Sequence, residues 1–218
     1  MMVPSHHAVR AEEFLWTWIE LRACLGHCMP NVFVIGGCNG AGKTTASLAV
    51  LPTLLNCQEF VNADAIAAGL SPLNPDSVAR IAGRMMLDRM QTLRSLGADF
   101  AFETTLAARS FAPFLRDCQQ RGYTVTLLYF WLQSPELAIQ RVALRFASGG
   151  HSIPEETIRR RYDRGRRNLV ELYLPIADTW MVFDNTQNPS ELVAQSSARG
   201  TEIIHNEAKW SQITAGSV

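Results

Sequence analysis

The chain is 218 residues long, 47% hydrophobic and 18% charged, with Lys+Arg and Asp+Glu balanced at 20 each. That length and apolar content suffice for a sizeable α/β core, and the neutral balance excludes the strongly basic footprint of a dedicated duplex-DNA binder. No apolar run approaches the roughly 20 residues of a membrane helix, and no basic segment leads into a signal-type apolar core, so no membrane partner and a cytoplasmic location are expected.

In chain order, Phe14, Trp18, Leu21, Leu25 and Cys28 recur at helical spacing and predict a helix over 10 to 28, a structural extension (1–30) ahead of the first strand. Cys24, His27 and Cys28 lack a second ligand cluster and are read as buried helix residues rather than a metal site; the five cysteines, with no pairing pattern, suit a reducing compartment. Val32 to Gly36 is an apolar strand, and Gly37-Cys38-Asn39-Gly40-Ala41-Gly42-Lys43-Thr44-Thr45 follows it, opening a helical run to Leu51. This is G-x-x-x-x-G-K-[ST] in its strand–loop–helix setting, a loop whose backbone N–H groups cradle nucleotide phosphates at a helix N-terminus. Lys43 is expected to reach the outer phosphates and Thr44 the magnesium. The chain has only two lysines, Lys43 and Lys209, and one of them falls here.

Pro52 and Asn56 break the helix, and Glu59 to Asn62 reads as a short second strand. Asp64 lies just beyond it, at the strand end where ligands of open α/β sheets bind, so it is a candidate for chemistry; its alternative role is to cap the helix that follows. Asn74 and Pro75 open a long helix from Asp76 to Leu96. The strand Asp99 to Phe102 delivers Glu103, Thr104 and Thr105 to the same cleft, a carboxylate suited to magnesium-bound water or substrate and hydroxyls suited to phosphate or sugar, with strand-end capping as the alternative. A helix from Ser110 to Arg121 leads to the strand Tyr123 to Trp131, long enough to be central. Ser134 caps a helix through Phe146 that carries Arg141 and Arg145 four apart, and Ser148-Gly149-Gly150-His151 interrupts it. Ser152 and Glu155 form a capping box for the next helix, with Ile158, Tyr162, Leu169 and Leu172 on its buried side. Between 141 and 167 eight arginines face three acidic residues, an excess of five, and two helices so lined resemble a kinase lid that closes over transferring phosphates, the alternative being a solvated charged face. Trp180 to Phe183 reads as the last core strand, ending in Asp184-Asn185. A helix near Pro189 to Ser197, an edge strand Thr201 to His205 and an uninformative tail complete the chain.

Gly37–Thr45, Val61-Asn62-Ala63-Asp64, Gly69-Leu70-Ser71-Pro72, Phe102-Glu103-Thr104-Thr105, Ser134-Pro135-Glu136-Leu137, Gly149-Gly150-His151, Arg159-Arg160-Arg161-Tyr162 and Asp184-Asn185 together resemble the zeta toxin family, over about 32 to 185. The resemblance is nearest to the compact branch called zeta toxin-like or predicted ABC-type ATPase. It implies a single P-loop kinase-like domain over 1–218, a three-layer α/β/α fold with a mainly parallel sheet and a helical lid at about 141–167. It also implies a kinase using ATP (or GTP) and Mg2+ to phosphorylate the amino-sugar 3′-hydroxyl of UDP-N-acetylglucosamine, and a possible antitoxin partner. Carried over by motif, Gly37, Asn39, Gly40, Ala41, Gly42, Lys43, Thr44 and Thr45 would hold the nucleotide and Thr44 and Glu103 the metal. Asp64 would be the base, and with Glu103, Thr104, Thr105, Arg109 and His151 would hold the substrate. Arg141 would stabilise the transferring phosphoryl group. His151 stands in the lid turn where better-known toxins carry arginine, leaving Arg145 or Arg160 to supply a second charge. Two other readings remain open from the residues: a P-loop kinase for a nucleoside, antibiotic or other metabolite, and an ATP-dependent switch or RNA-binding module. Against the last, no aromatic platform interleaves with the arginines.

Overall fold

Residues along each inner strand alternate between two apolar layers. Val32 and Val34 of strand β1 (Asn31–Gly37) enter one and Phe33 and Ile35 the other, as the period of two in a β-strand requires for a sheet covered on both faces. The computed structural model describes residues 29–147, 153–196 and 200–215. Within these, β2 (Phe60–Val61), β3 (Phe100–Thr104), β4 (Thr124–Trp131), β5 (Thr179–Asp184), β6 (Glu191–Ser196) and β7 (Glu202–Ile204) join β1 in a seven-stranded sheet of order β2-β3-β1-β4-β5-β6-β7. The first five strands in that order are parallel, and β6 and β7 pair antiparallel at the end. All eight residues of β4 are buried, and it is the middle strand, as its length predicts.

Helix α1 (Lys43–Thr53), α2 (Ala63–Leu70), α3 (Ala79–Ser95), α4 (Phe111–Gln120), α5 (Pro135–Ala147), α6 (Glu155–Asn168) and α7 (Glu207–Thr214) complete the described elements. Side chains of α3, α4 and α7, among them Met90, Leu115 and Trp210, fill one layer, and those of α1 and α5, among them Leu51 and Val142, fill the other. Helix α6 crosses from one layer to the other: Ile158 and Tyr162 pack in the second, whereas Leu169 and Tyr173, in the wider π-type turn Leu169–Tyr173 that continues the helix, pack in the first. At the crossing the Tyr162 hydroxyl donates to the Leu132 carbonyl at 2.6 Å, just past β4, and the Asn168 amide to Leu106 at 2.8 Å, just past β3. The helix therefore spans the carboxyl edge of the sheet, directly above the ends of its parallel strands.

Several elements differ from the sequence-based expectation. Where the sequence predicts a helix near Pro189 to Ser197, Glu191–Ser196 is strand β6, because Leu192 and Val193 bury toward opposite layers and the segment completes its hydrogen bonds with β5 and β7. Pro52 sits inside α1 rather than ending it. A 3-10 turn, Pro75–Val78, precedes α3, so the long helix begins at Ala79 rather than Asp76. The tail holds α7, whose Trp210 stacks on Trp180 with ring centroids 5.6 Å apart. The helix expected over 10 to 28, the turn 148–151 and the capping Ser152 lie outside the described residues.

Candidate active site

The phosphate loop begins where β1 ends in the middle of the sheet. Gly42 occupies the left-handed region at φ 81° as the N-cap of α1. The buried Lys43 ammonium donates to the Cys38 carbonyl at 2.8 Å across the loop and lies 3.4 Å from Glu103 Oε1. Glu103 Oε2 accepts from the Thr44 hydroxyl at 2.6 Å and from the Asn62 amide at 2.8 Å. One carboxylate thus gathers the loop lysine, the first hydroxyl of α1 and the end of β2. Glu103 is the fourth residue of β3, and the parallel register that sets Glu103 beside Ile35 brings it to the loop. Burial pushes the Cys38 thiol up to about 11 against the pull of Lys43 and Arg141, so the thiol is neutral in the loop.

Asp64 does not cap α2. The Asn62 side chain does, accepting from the backbone N–H of Asp64 at 2.8 Å and of Ala65 at 3.2 Å. Asp64 lines a cleft of about 440 Å³ together with Asn39, Lys43, Asn62 and Glu103. Thr104, Thr105, Ala107 and Ala108 form another wall, and Arg160, Arg161 and Arg164 of α6 a third. Arg161 also reaches the phosphate loop, donating to Asn39 Oδ1 at 3.3 Å.

Helix α6 can lie this close because residue 165 is glycine: a Cβ there would stand 2.3 Å from the Thr105 carbonyl oxygen. Three residues on, the buried Asn168 amide donates to the Leu106 and Ala107 carbonyls at 2.8 and 3.3 Å, and its oxygen accepts from Arg109 at 3.2 Å. Tyr173 donates to the Ala108 carbonyl. In an ordinary helix of 3.6 residues per turn, Asn168 and Tyr173 would point about 140° apart. The wider turn, closed by Leu174 N–H to Leu169 O at 2.8 Å, brings both onto one loop.

Of the residues singled out from sequence, the cleft brings together Asn39, Lys43, Asp64, Glu103, Thr104, Thr105 and Arg160. Thr44 adjoins it through Glu103, and Thr45 is exposed on the first turn of α1. Gly37, Gly40, Ala41 and Gly42 form the loop backbone. Arg109 is not on the cleft wall; it is 63% exposed and lies 3.9 Å from Glu171. Arg141 lies on the other side of the phosphate loop and donates to the Thr186 carbonyl at 2.9 Å, and Arg145 is exposed on α5. His151 lies outside the described residues. Sequence reasoning gave no individual role to Asn62, Arg161, Arg164 or Asn185, although Asn62, Arg161 and Asn185 stand in the motifs that carry the resemblance and Arg164 is one of the eight arginines counted there. Asn62 had a signal, since asparagine immediately before a helical run is an N-cap candidate.

A family model for zeta toxin matches residues 20–190. The chain belongs to the zeta toxin family. A Haemophilus influenzae protein described as uncharacterized is 29% identical over 145 residues, 66% of this chain and 96% of its own length. Among solved structures, the AvrRxo1-ORF1:-ORF2 complex with ATP holds a chain that superposes with a TM-score of 0.71 at 18% identity, covering 95% of this chain and 72% of that one. A chain of the PezAT toxin–antitoxin system of Streptococcus pneumoniae gives 0.63 at 17% identity, covering 97% of this chain and 91% of its own. The zeta toxin fold around the cleft is thus the P-loop kinase fold, and family and fold together support an ATP-dependent kinase. Among the described residues no helix is long and apolar enough to cross a membrane, and no three His, Cys, Asp or Glu side chains form a metal cage. Magnesium does not need such a cage, since it binds through one or two carboxylates plus substrate phosphates. The Thr44 hydroxyl and the Glu103 carboxylate, 2.6 Å apart at the phosphate loop, suit that donor set.

Proposed function

We propose that this zeta toxin family member transfers the γ-phosphate of ATP to a hydroxyl of a small acceptor, with a sugar nucleotide of the UDP-N-acetylglucosamine kind as the acceptor class. The observation that carries the reading is the convergence in one cleft of Lys43 from the phosphate loop, Glu103 from β3, Asp64 from the start of α2 and three arginines from α6. A phosphate loop alone binds a nucleotide; a carboxylate opposite it provides for a second substrate with a proton to lose.

In this reading the N–H groups of residues 39 to 45 and the Lys43 ammonium bind the triphosphate, with Gly37 shaping the loop. Thr44 and Glu103 would hold magnesium, which when bound offsets charge on the phosphates. Asp64 orients the acceptor hydroxyl and takes its proton as the new O–P bond forms and the bond to the departing ADP breaks. Thr104 and Thr105 line the acceptor side. Thr104 keeps a structural bond as well, its hydroxyl accepting from Leu106 N–H at 3.1 Å. Arg160, Arg161 and Arg164 balance the charge that spreads over the transferring group and exclude water beside it, the electrostatic work that dominates phosphoryl transfer. Arg141 and Arg145 on α5, together with His151 and Arg109, complete the set carried by family resemblance. The whole chain acts as one kinase domain, and an antitoxin is its protein partner.

Asp64→Asn tests the base. ATP affinity is expected to stay within about twofold, while transfer falls by roughly 10²- to 10⁴-fold. Wild-type turnover by the variant would remove Asp64 from the mechanism.

A further inference from the structure

The β5–β6 loop reaches across to the phosphate loop from outside the cleft. Asn185, the first residue after β5, donates its side-chain amide to the Ala41 carbonyl at 2.7 Å. The contact is close enough that a Cβ on Gly42 would stand 2.5 Å from that amide nitrogen. Asn185 is itself held twice, its backbone N–H donating to the Trp131 carbonyl at 2.8 Å and its side-chain oxygen accepting from Ser190 Oγ at 2.5 Å. The rest of the loop is braced too. Arg141 takes the Thr186 carbonyl, Thr186 N–H donates to Asp184 at 2.8 Å, and Lys209 of α7 holds Asp184 and Glu191, the two ends of the loop, at 2.6 Å each.

A trans peptide sets its C=O and N–H on opposite sides. Drawing the Ala41 carbonyl outward therefore turns the Gly42 N–H the other way, toward the inside of the loop where phosphate oxygens are bound by backbone donors. We propose that Asn185, fixed by Ser190, is a positioning residue for nucleotide binding, which presets the Ala41–Gly42 peptide for the triphosphate. The inference rests on reading Gly37 to Thr45 as the phosphate cradle of ATP, but not on the identity of the acceptor. It also gives Gly42 a second reason to be glycine, since any side chain there would displace the tether.

The test is equilibrium binding of ATP and of inorganic tripolyphosphate to the full-length protein, with melting temperature followed alongside. Asn185→Ala is expected to weaken both ligands by the same factor, roughly threefold to tenfold for one lost hydrogen bond. Asn185→Asp sets a carboxylate against the Ala41 carbonyl and beside the phosphates and is expected to weaken both by about tenfold or more. Ser190→Ala, which leaves Asn185 in place, is expected to weaken both by a smaller factor and serves if Asn185→Asp does not fold. Unchanged affinities, or a lowered melting temperature and binding stoichiometry with the dissociation constants unmoved, would overturn the proposal. Failure of the wild-type protein to bind either ligand would overturn the phosphate-cradle reading itself, a result distinct from parity between wild type and variants.

Discussion

Replacing Glu103 by glutamine removes one negative charge from the point where Lys43, Thr44 and Asn62 meet. The Lys43 and Glu103 side chains are only 6% and 12% exposed, so the lost attraction is poorly replaced by water. Removing one partner of a buried pair costs about 3–5 kcal/mol. Here the ammonium keeps its 2.8 Å bond to Cys38, and Thr44, on an exposed turn, can turn to water, so the expected loss is about 2–3 kcal/mol. At roughly 2–4 °C per kcal/mol for a chain of this size, the melting temperature should fall by about 4–12 °C. Catalysis should suffer more than stability. Glutamine is a poor magnesium ligand, so magnesium-dependent transfer should drop by at least about a hundredfold at temperatures where the variant is fully folded, whereas magnesium-free ATP binding persists because Lys43 is released to pair with phosphate. Scanning calorimetry, ATP titration with and without magnesium, and initial rates give the three readouts. A variant that melts with wild type and transfers phosphate at the wild-type rate would refute the assignment of Glu103 as the common acceptor of the site.

Gly165→Ala should lower stability by roughly 1–3 kcal/mol, because the methyl would meet the Thr105 backbone at 2.3 Å and force α6 off the acceptor wall. Denaturant unfolding measures this, and an unaltered midpoint would mean that the close approach carries no constraint. Burial pushes the phenols of Tyr123, Tyr162 and Tyr173 from the usual 10 up to about 12. Folded values above unfolded ones mean stability is fully present below pH 10 and is lost as pH rises from about 10 to about 12. Denaturant midpoints at pH 9, 10 and 11, read beside phenolate absorbance, check it; all four tyrosines titrating near pH 10 with constant stability would contradict it.

What the sequence made legible was local. The phosphate loop is one contiguous spacing, the parallel strands are short apolar runs, and Asp64 and Glu103 follow from the rule that such strands deliver ligand-binding residues at their carboxyl ends. What stayed hidden depends on contacts distant in the chain. Leu192 to Ala194 is too short a run to separate helix from strand, and pairing with β5 decides it. Which arginines face the cleft depends on how α6 rotates as it crosses the sheet edge, and Gly165 and Asn168 set that rotation through contacts with Thr105 and Leu106, some 60 residues earlier. Hence Arg161 and Arg164 join Arg160 on the cleft wall, while Arg141 and Arg145 on α5 do not. Asn62 and Asn185 stand in recognisable motifs, but their partners, Glu103 and Ala41, come only with the fold. Lys209, the second of two lysines, lies in a tail without a sequence pattern, and it acquires meaning only when α7 carries it to Asp184 and Glu191.

The central claim is phosphoryl transfer to a second substrate, and product analysis tests it most directly. Wild-type protein is incubated with magnesium, ATP labelled at the γ-phosphate and a panel of hydroxyl acceptors including UDP-N-acetylglucosamine, nucleosides and aminoglycosides, and the products are resolved by mass. The account predicts one acceptor carrying the labelled phosphoryl group, formed by wild type and lost in Lys43→Ala and Asp64→Asn. Label appearing only as inorganic phosphate, at a rate indifferent to Asp64, would contradict it.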